Sequence, residues 1–116
     1  MGRLTTHVLD TARGCPAAGL ALTLSALAPE RRLLVEATTN ADGRLDHPLL
    51  KGETFRPGRY ELVFRAAAYH RALGLPLADP PFLDEVVVRF AIADRDVHCH
   101  VPLLLSPWSY TTYRGS

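Results

Sequence analysis

Apolar and polar residues alternate with a period of two along most of the chain, in stretches bounded by Gly, Pro, Asn and Asp. That period belongs to strands with one buried and one wet face, whereas a helix would repeat its apolar positions every three or four residues. Arg3–Asp10 is the first such stretch, with Leu4, Thr6 and Val8 on one face and Thr5, His7 and Leu9 on the other. Arg13-Gly14-Cys15-Pro16 then reads as a turn or loop, because glycine relaxes φ and proline cannot continue a ladder. Residues 20–27 alternate again with Leu20, Leu22 and Leu24 inward, and residues 32–39 make a third strand around Leu33, Val35 and Ala37. Asn40-Ala41-Asp42-Gly43 joins residue types that accept positive φ at low cost, so it predicts a tight turn with Arg44 at its root.

After a loop from Pro48 to Gly58, residues 59–65 form a strand carrying Tyr60, Leu62 and Phe64 inward. Residues 66–73 lose the alternation, are rich in helix formers and stop at Gly74, which predicts one short helix. Asp79-Pro80-Pro81 interrupts the chain, and residues 83–92 resume as a strand with Val86, Val88, Phe90 and Ile92 on one face. Asp94-Arg95-Asp96 turns into the last long strand, residues 97–105. The pattern predicts an all-β fold: a single-domain antiparallel β-sandwich of seven to eight strands with one short helix, spanning residues 1–116.

Bulk properties narrow the partners. A length of 116 residues fits one domain with a real core. Thirteen basic and twelve acidic residues are spread along the chain, with no basic stripe for nucleic acid or an anionic membrane. Apolar runs such as residues 101–105 fall far short of the roughly 20 needed to span a bilayer. The N-terminal residues lead straight into an alternating segment in place of a basic-then-apolar leader, so a cytosolic location is expected. Cys15 in a turn and Cys99 in mid-strand are expected to be reduced thiols.

The last long strand carries the candidate chemistry. Val97, Cys99, Val101, Leu103 and Leu105 make its apolar face, so His98 and His100 share the opposite face with Pro102 and Leu104. His7 points outward from the first strand in the same way. If these strands share a sheet, His7, His98 and His100 converge on its outer surface. Outward histidines are by default solvated polar residues. A second reading is a zinc site, since His-x-His sets two imidazoles on one side of a strand and a third would complete three ligands. A third is acid–base catalysis, with a neutral imidazole taking a proton from water and the permanently charged, planar Arg44 steadying developing negative charge. A site on the outside of a sandwich is flat and wet, so a small-molecule site there needs a second subunit to cover it. Pro102, Leu104 and Trp108 beside the histidines suit a partly apolar interface, which predicts an oligomer with sites at its seams.

Four segments together resemble a known family. They are Leu4-Thr5-Thr6-His7-Val8-Leu9-Asp10, Thr39-Asn40-Ala41-Asp42-Gly43-Arg44, His98-Cys99-His100-Val101-Pro102-Leu103-Leu104-Leu105-Ser106-Pro107 and the terminal Tyr110-Thr111-Thr112-Tyr113-Arg114-Gly115-Ser116. The set is similar to the 5-hydroxyisourate hydrolases, the transthyretin-related enzymes of urate breakdown, over essentially the whole chain. The Tyr-Arg-Gly-Ser ending resembles the mark that separates these enzymes from hormone-carrying transthyretins. The resemblance implies a homotetramer, a dimer of dimers with sites in the channel between dimers, and hydrolysis of 5-hydroxyisourate with no metal or organic cofactor. It implies that His7, Arg44, His100 and Ser116 are catalytic, with His98, Tyr113, Arg114 and Gly115 binding or shaping the site. Which histidine is base and which is acid stays open. Cys99 stands where the family often has an aromatic residue, and Cys15 where a basic one is common. Lys51, His47 and His70 match no catalytic motif and are expected on the surface.

Overall fold

The alternation becomes burial strand by strand. In β1 (Arg3–Asp10), Leu4, Thr6, Val8 and Asp10 are buried and the residues between them are only half-covered or exposed. The computed structural model describes residues 1–115. It continues through β2 (Cys15–Pro16), β3 (Ala21–Ala26), β4 (Arg32–Thr38), β5 (Leu50–Lys51), a one-turn 3-10 helix (Gly52–Thr54), β6 (Gly58–Phe64), α1 (Ala66–Ala72), β7 (Val86–Ile92), β8 (His98–Leu105) and β9 (Tyr110–Thr112). The six long strands and the helix lie where the alternation places them. The three strands of two or three residues, β2, β5 and β9, are too short to show a period.

One sheet has the order β2-β1-β8-β9, with β5 also paired to β1; the other has the order β4-β3-β6-β7. Between them Leu4, Leu20, Leu22, Leu24, Leu62, Phe64, Leu103 and Leu105 are almost wholly buried. Their apolar area removed from water is the main source of stability in such a fold. Neighbouring strands run antiparallel except β1 and β8, which pair in parallel from Arg3 opposite His98 to Asp10 opposite Leu105. Cys99 faces the core as expected, and both cysteines are free thiols.

Four expectations change in detail. Cys15-Pro16 is a short strand on β1 and not only a turn. A register shift after Leu24 sets Val35 opposite Leu24 but Leu33 opposite Ser25, so Leu34 is an extra residue in β4. That bulge turns Leu33 outward, 53% exposed, and leaves Leu34, Val35 and Ala37 against the core. Pro102, on the outward face of β8, is already buried within the single chain, while Trp108 is exposed.

The fourth is His70, which is 1% exposed and not a surface residue. Helix α1 buries Ala66, Ala67, Tyr69 and His70. The Tyr69 hydroxyl donates to Asp10 Oδ2 at 2.7 Å, and Asp10 Oδ1 accepts from the Arg13 backbone N–H at 3.0 Å, which ties the helix to β1. Burial and then this carboxylate push the Tyr69 hydroxyl up to about 12. The His70 ring stands edge-on to Tyr69 at 5.2 Å, and neither ring nitrogen has a hydrogen-bond partner among the described residues. Such a ring is neutral in the fold, because charging it would cost its desolvation.

Burial holds His70 below its ordinary 6.5, with nearby Asp10 opposing only in part. The unfolded chain therefore binds that proton more tightly, so the stability contribution is full above the ordinary value and is lost as pH falls through it. Urea unfolding between pH 7 and pH 5 is expected to show falling stability, with a shallower fall in His70→Leu; an unchanged slope in the variant would assign the acid sensitivity elsewhere.

Candidate active site

The parallel ladder between β1 and β8 assembles the site. Its register sets Arg3 opposite His98, Thr5 opposite His100 and His7 opposite Pro102. All these positions fall on the face turned away from the core. The Thr5 hydroxyl lies 2.7 Å from His98 Nε2 and 2.7 Å from His100 Nδ1. The two imidazole centroids are 6.0 Å apart.

Arg44 arrives on the opposite side of β1. The Val8 N–H donates to the Gly43 carbonyl at 2.8 Å, and His7 and Arg44 form an antiparallel bridge. Asn40 shapes the turn that delivers the arginine: its side-chain oxygen accepts from the N–H groups of Asp42 at 2.9 Å and Arg44 at 3.2 Å, and its amide nitrogen donates to Asp46 Oδ1 at 3.0 Å. Gly43 has φ +73°, and a Cβ there would lie 2.3 Å from the Val8 carbonyl oxygen. Only glycine lets this turn sit so closely on β1.

The C-terminal tail closes on His100. After β9, the Gly115 N–H donates to the His100 carbonyl at 2.9 Å. A Cβ at Gly115 would come within 2.7 Å of His100 Cδ2, so the bare backbone packs on the imidazole where a side chain would displace it. Tyr113 and Arg114 take a different place. They line a neighbouring cavity of about 540 Å3 bounded by Phe90, Ile92 and Cys99, which meets the histidine groove at His100. Ser116 lies outside the described residues.

The groove itself, about 350 Å3, is lined by Arg3, Thr5, Arg44, His47, His98 and His100, among others. Burial lowers the His100 imidazole below its ordinary value, and Arg44, His98 and His7 lower it further. His7 is lowered by burial and then by Arg44, against the Asp42 backbone and carboxylate, which raise it. Both rings are thus neutral near pH 7 and able to accept a proton, with a fixed cation beside them. No three His, Cys, Asp or Glu side chains among the described residues are grouped as a metal ion requires, so His7, His98 and His100 do not form the zinc set their sequence positions allow.

Thr5, His47 and Arg3 are among the groove residues that the sequence does not single out. Thr5 shares the outward face with His7, and its contact with both imidazoles depends on a pairing register that periodicity does not reveal. His47 lines the groove although it matches no motif, and Arg3 enters it only because β1 opens opposite His98.

Fold and site together define a two-sheet β-sandwich carrying an imidazole and guanidinium centre on the outer face of one sheet. The chain belongs to the HIUase/Transthyretin family, whose model matches residues 4–115. It is 58% identical over 117 aligned residues to the 5-hydroxyisourate hydrolase of Pseudomonas aeruginosa, with 100% of this chain and 93% of that protein covered. Among solved structures, an (S)-allantoin synthase matches with a TM-score of 0.95 and 48% identity, covering 99% of this chain but 44% of that longer one. Transthyretin from Sparus aurata matches with a TM-score of 0.87 and 29% identity, covering 97% of this chain and 96% of the other. The fold is thus shared with a transthyretin as well as with enzymes, and the sequence stands much nearer the hydrolase.

Gly43→Ala is expected to cost about 2–3 kcal/mol of unfolding free energy, since it combines backbone strain with a clash against Val8. Denaturant titration measures this; a variant as stable as the parent would show that the turn has room to relax.

Proposed function

We propose that this protein hydrolyses 5-hydroxyisourate to 2-oxo-4-hydroxy-4-carboxy-5-ureidoimidazoline, a step in urate degradation. The observation that carries this reading is a neutral His100 packed between the Gly115 backbone, the Thr5 hydroxyl and the field of Arg44. An enzyme that opens a cyclic amide near neutral pH needs a base for water, a cation for the oxygen that gains charge, and an acid for the departing nitrogen. His7 on β1 and His100 on the neighbouring β8 supply two neutral imidazoles on one outer face, and Arg44 supplies the cation.

In this mechanism one imidazole removes a proton from water as the water oxygen adds to the ring carbonyl carbon. Arg44 pairs with the oxygen that becomes negative. The carbon–nitrogen bond then breaks, the proton taken from water is passed on to the leaving nitrogen so that both imidazoles end neutral again, and the new carboxyl group stays on the former ring carbon. Ser116 completes the catalytic set with His7, Arg44 and His100, while His98, Tyr113, Arg114 and Gly115 bind substrate or shape the site. The family resemblance supports these roles for the tail.

The working form is a homotetramer, a dimer of dimers. Its support is the openness of the single chain: Arg44 and His98 are exposed, and Trp108 at 71% and Tyr113 at 57% exposure leave aromatic surface for another copy to cover. The protein works in the cytosol, a setting in keeping with two free thiols, and no helix among the described residues is long and apolar enough to cross a membrane.

Freshly generated 5-hydroxyisourate, followed by its ultraviolet absorbance against the spontaneous decay, tests the reading directly. His100→Ala and Arg44→Ala are each expected to lose about 10²- to 10⁴-fold in rate with the fold intact. A near-normal rate in either variant removes that residue from the mechanism. Separately, activity is expected to survive exhaustive dialysis against a chelator, since no step passes through a metal; loss on dialysis with recovery on adding zinc would overturn that part.

A further inference from the structure

The residue type of Thr5 is unremarkable, since a β-branched threonine suits any strand. Its neighbour Thr6 faces inward and donates its hydroxyl to the Val101 carbonyl at 2.7 Å, an ordinary buried satisfaction. Thr5 differs because both of its partners are imidazole nitrogens, each at 2.7 Å, on two residues of β8 that share one face.

A hydroxyl has one proton to give, so Thr5 can donate to only one of the two rings. The other ring must carry a proton on the nitrogen that faces Thr5, and the hydrogen bonds thereby tie the tautomers of His98 and His100 to one another. When Thr5 donates to His98 Nε2, His100 carries its proton on Nδ1 and its Nε2 is bare and basic. When Thr5 donates to His100 Nδ1, His98 carries a proton on Nε2 and His100 carries its proton on its own Nε2.

We propose that Thr5 is a positioning residue that joins His98 and His100 into one proton-sharing pair, so that charge taken up at the half-buried His100 passes through the Thr5 hydroxyl to the exposed His98. This rests on the reading of His100 as a proton-transfer group. The transfer balances. A proton from water enters at His100 Nε2, the Nδ1 proton moves to Thr5 Oγ1, and the former hydroxyl proton moves to His98 Nε2. The hydroxyl is regenerated, His100 ends neutral, and the positive charge rests on the His98 imidazolium. The reverse shift returns a proton to His100 for the leaving nitrogen.

The surroundings favour that direction. Arg44 is the strongest charged neighbour of His100, with His98 and His7 behind it, so a cation held on His100 is repelled as well as poorly solvated. His98 is exposed to solvent, which stabilises an imidazolium at little cost. Of the other groove-lining charges, Arg44 acts on His100, Arg3 stands opposite His98 and opposes the cation there in part, and Asp46, tied to Asn40, is the lone carboxylate; His47 also lines the groove.

The test compares the full-length wild-type protein with Thr5→Val, which keeps the shape and removes the hydroxyl, and Thr5→Ser, which keeps the hydroxyl. For Thr5→Val, kcat for 5-hydroxyisourate is expected to fall on the order of ten- to a hundredfold, with KM within about twofold and the acid limb of the kcat–pH profile displaced. Thr5→Ser is expected to stay within about threefold of wild type. Nitrogen-15 NMR of the imidazoles, recorded without substrate, gives an independent reading: His98 and His100 titrate as a coupled pair in wild type and separately in Thr5→Val. A Thr5→Val enzyme with wild-type kcat and pH profile, a Thr5→Ser enzyme as slow as the valine variant, or independent titration of the two rings in wild type would each overturn the proposal. Should Thr5→Val not fold, the wild-type titration decides. A wild-type protein that fails to hydrolyse the substrate yet shows coupled rings would sink the functional reading and leave the pairing by Thr5 in place.

Discussion

The parallel pairing of β1 with β8 is the constraint on which core and site both depend. Side chains on paired strands alternate in step, so the register that buries Leu4, Thr6 and Val8 beside Val101 and Leu103 also presents Thr5 and His7 on the same outer face as His98 and His100. A slip of one residue would exchange the faces, drawing His7 inward and pushing leucine into water. Hydrophobic burial therefore sets the position of the polar groups with no interaction of their own needed to hold the register. The outer face inherits the precision of the inner one.

On that face Arg44 acts on the rings in two ways. Its charge adds to burial in holding both His7 and His100 below their ordinary value, and it also stands ready for an anionic oxygen. Both effects require the guanidinium to stay close to the imidazoles without a carboxylate to neutralise it. The Asn40 turn meets this need through backbone hydrogen bonds and the close approach at Gly43, while Asp46 is engaged by Asn40. Gly115 restrains His100 through its backbone hydrogen bond and by close contact with the ring.

Much of this was legible from residue order because a half-buried strand writes its two faces as a period of two. That signal placed the six long strands, the outward histidines and the inward Cys99. It carries nothing about which strands are neighbours, so the parallel partnership, and with it the contact of Thr5 with two rings, became visible only in three dimensions. The bulge at Leu34 breaks the period locally and reverses Leu33. His70 was misplaced for another reason: in a helix of two turns, burial is decided by what lies beneath it, and here that is the Tyr69 and Asp10 pair. Tyr113 and Arg114 follow β9, beyond any alternating segment, and line the cavity that meets the groove at His100.

The separation of Thr5 from His100 by 95 positions has a consequence for biosynthesis. In synthesis β1 is made well before β8, so it waits with one edge unsatisfied until its ladder partner emerges. The closing step joins two distant segments across a long loop, a slow kind of contact to form. The shared face of Thr5, His98 and His100 cannot accumulate gradually during elongation; it arrives with β8.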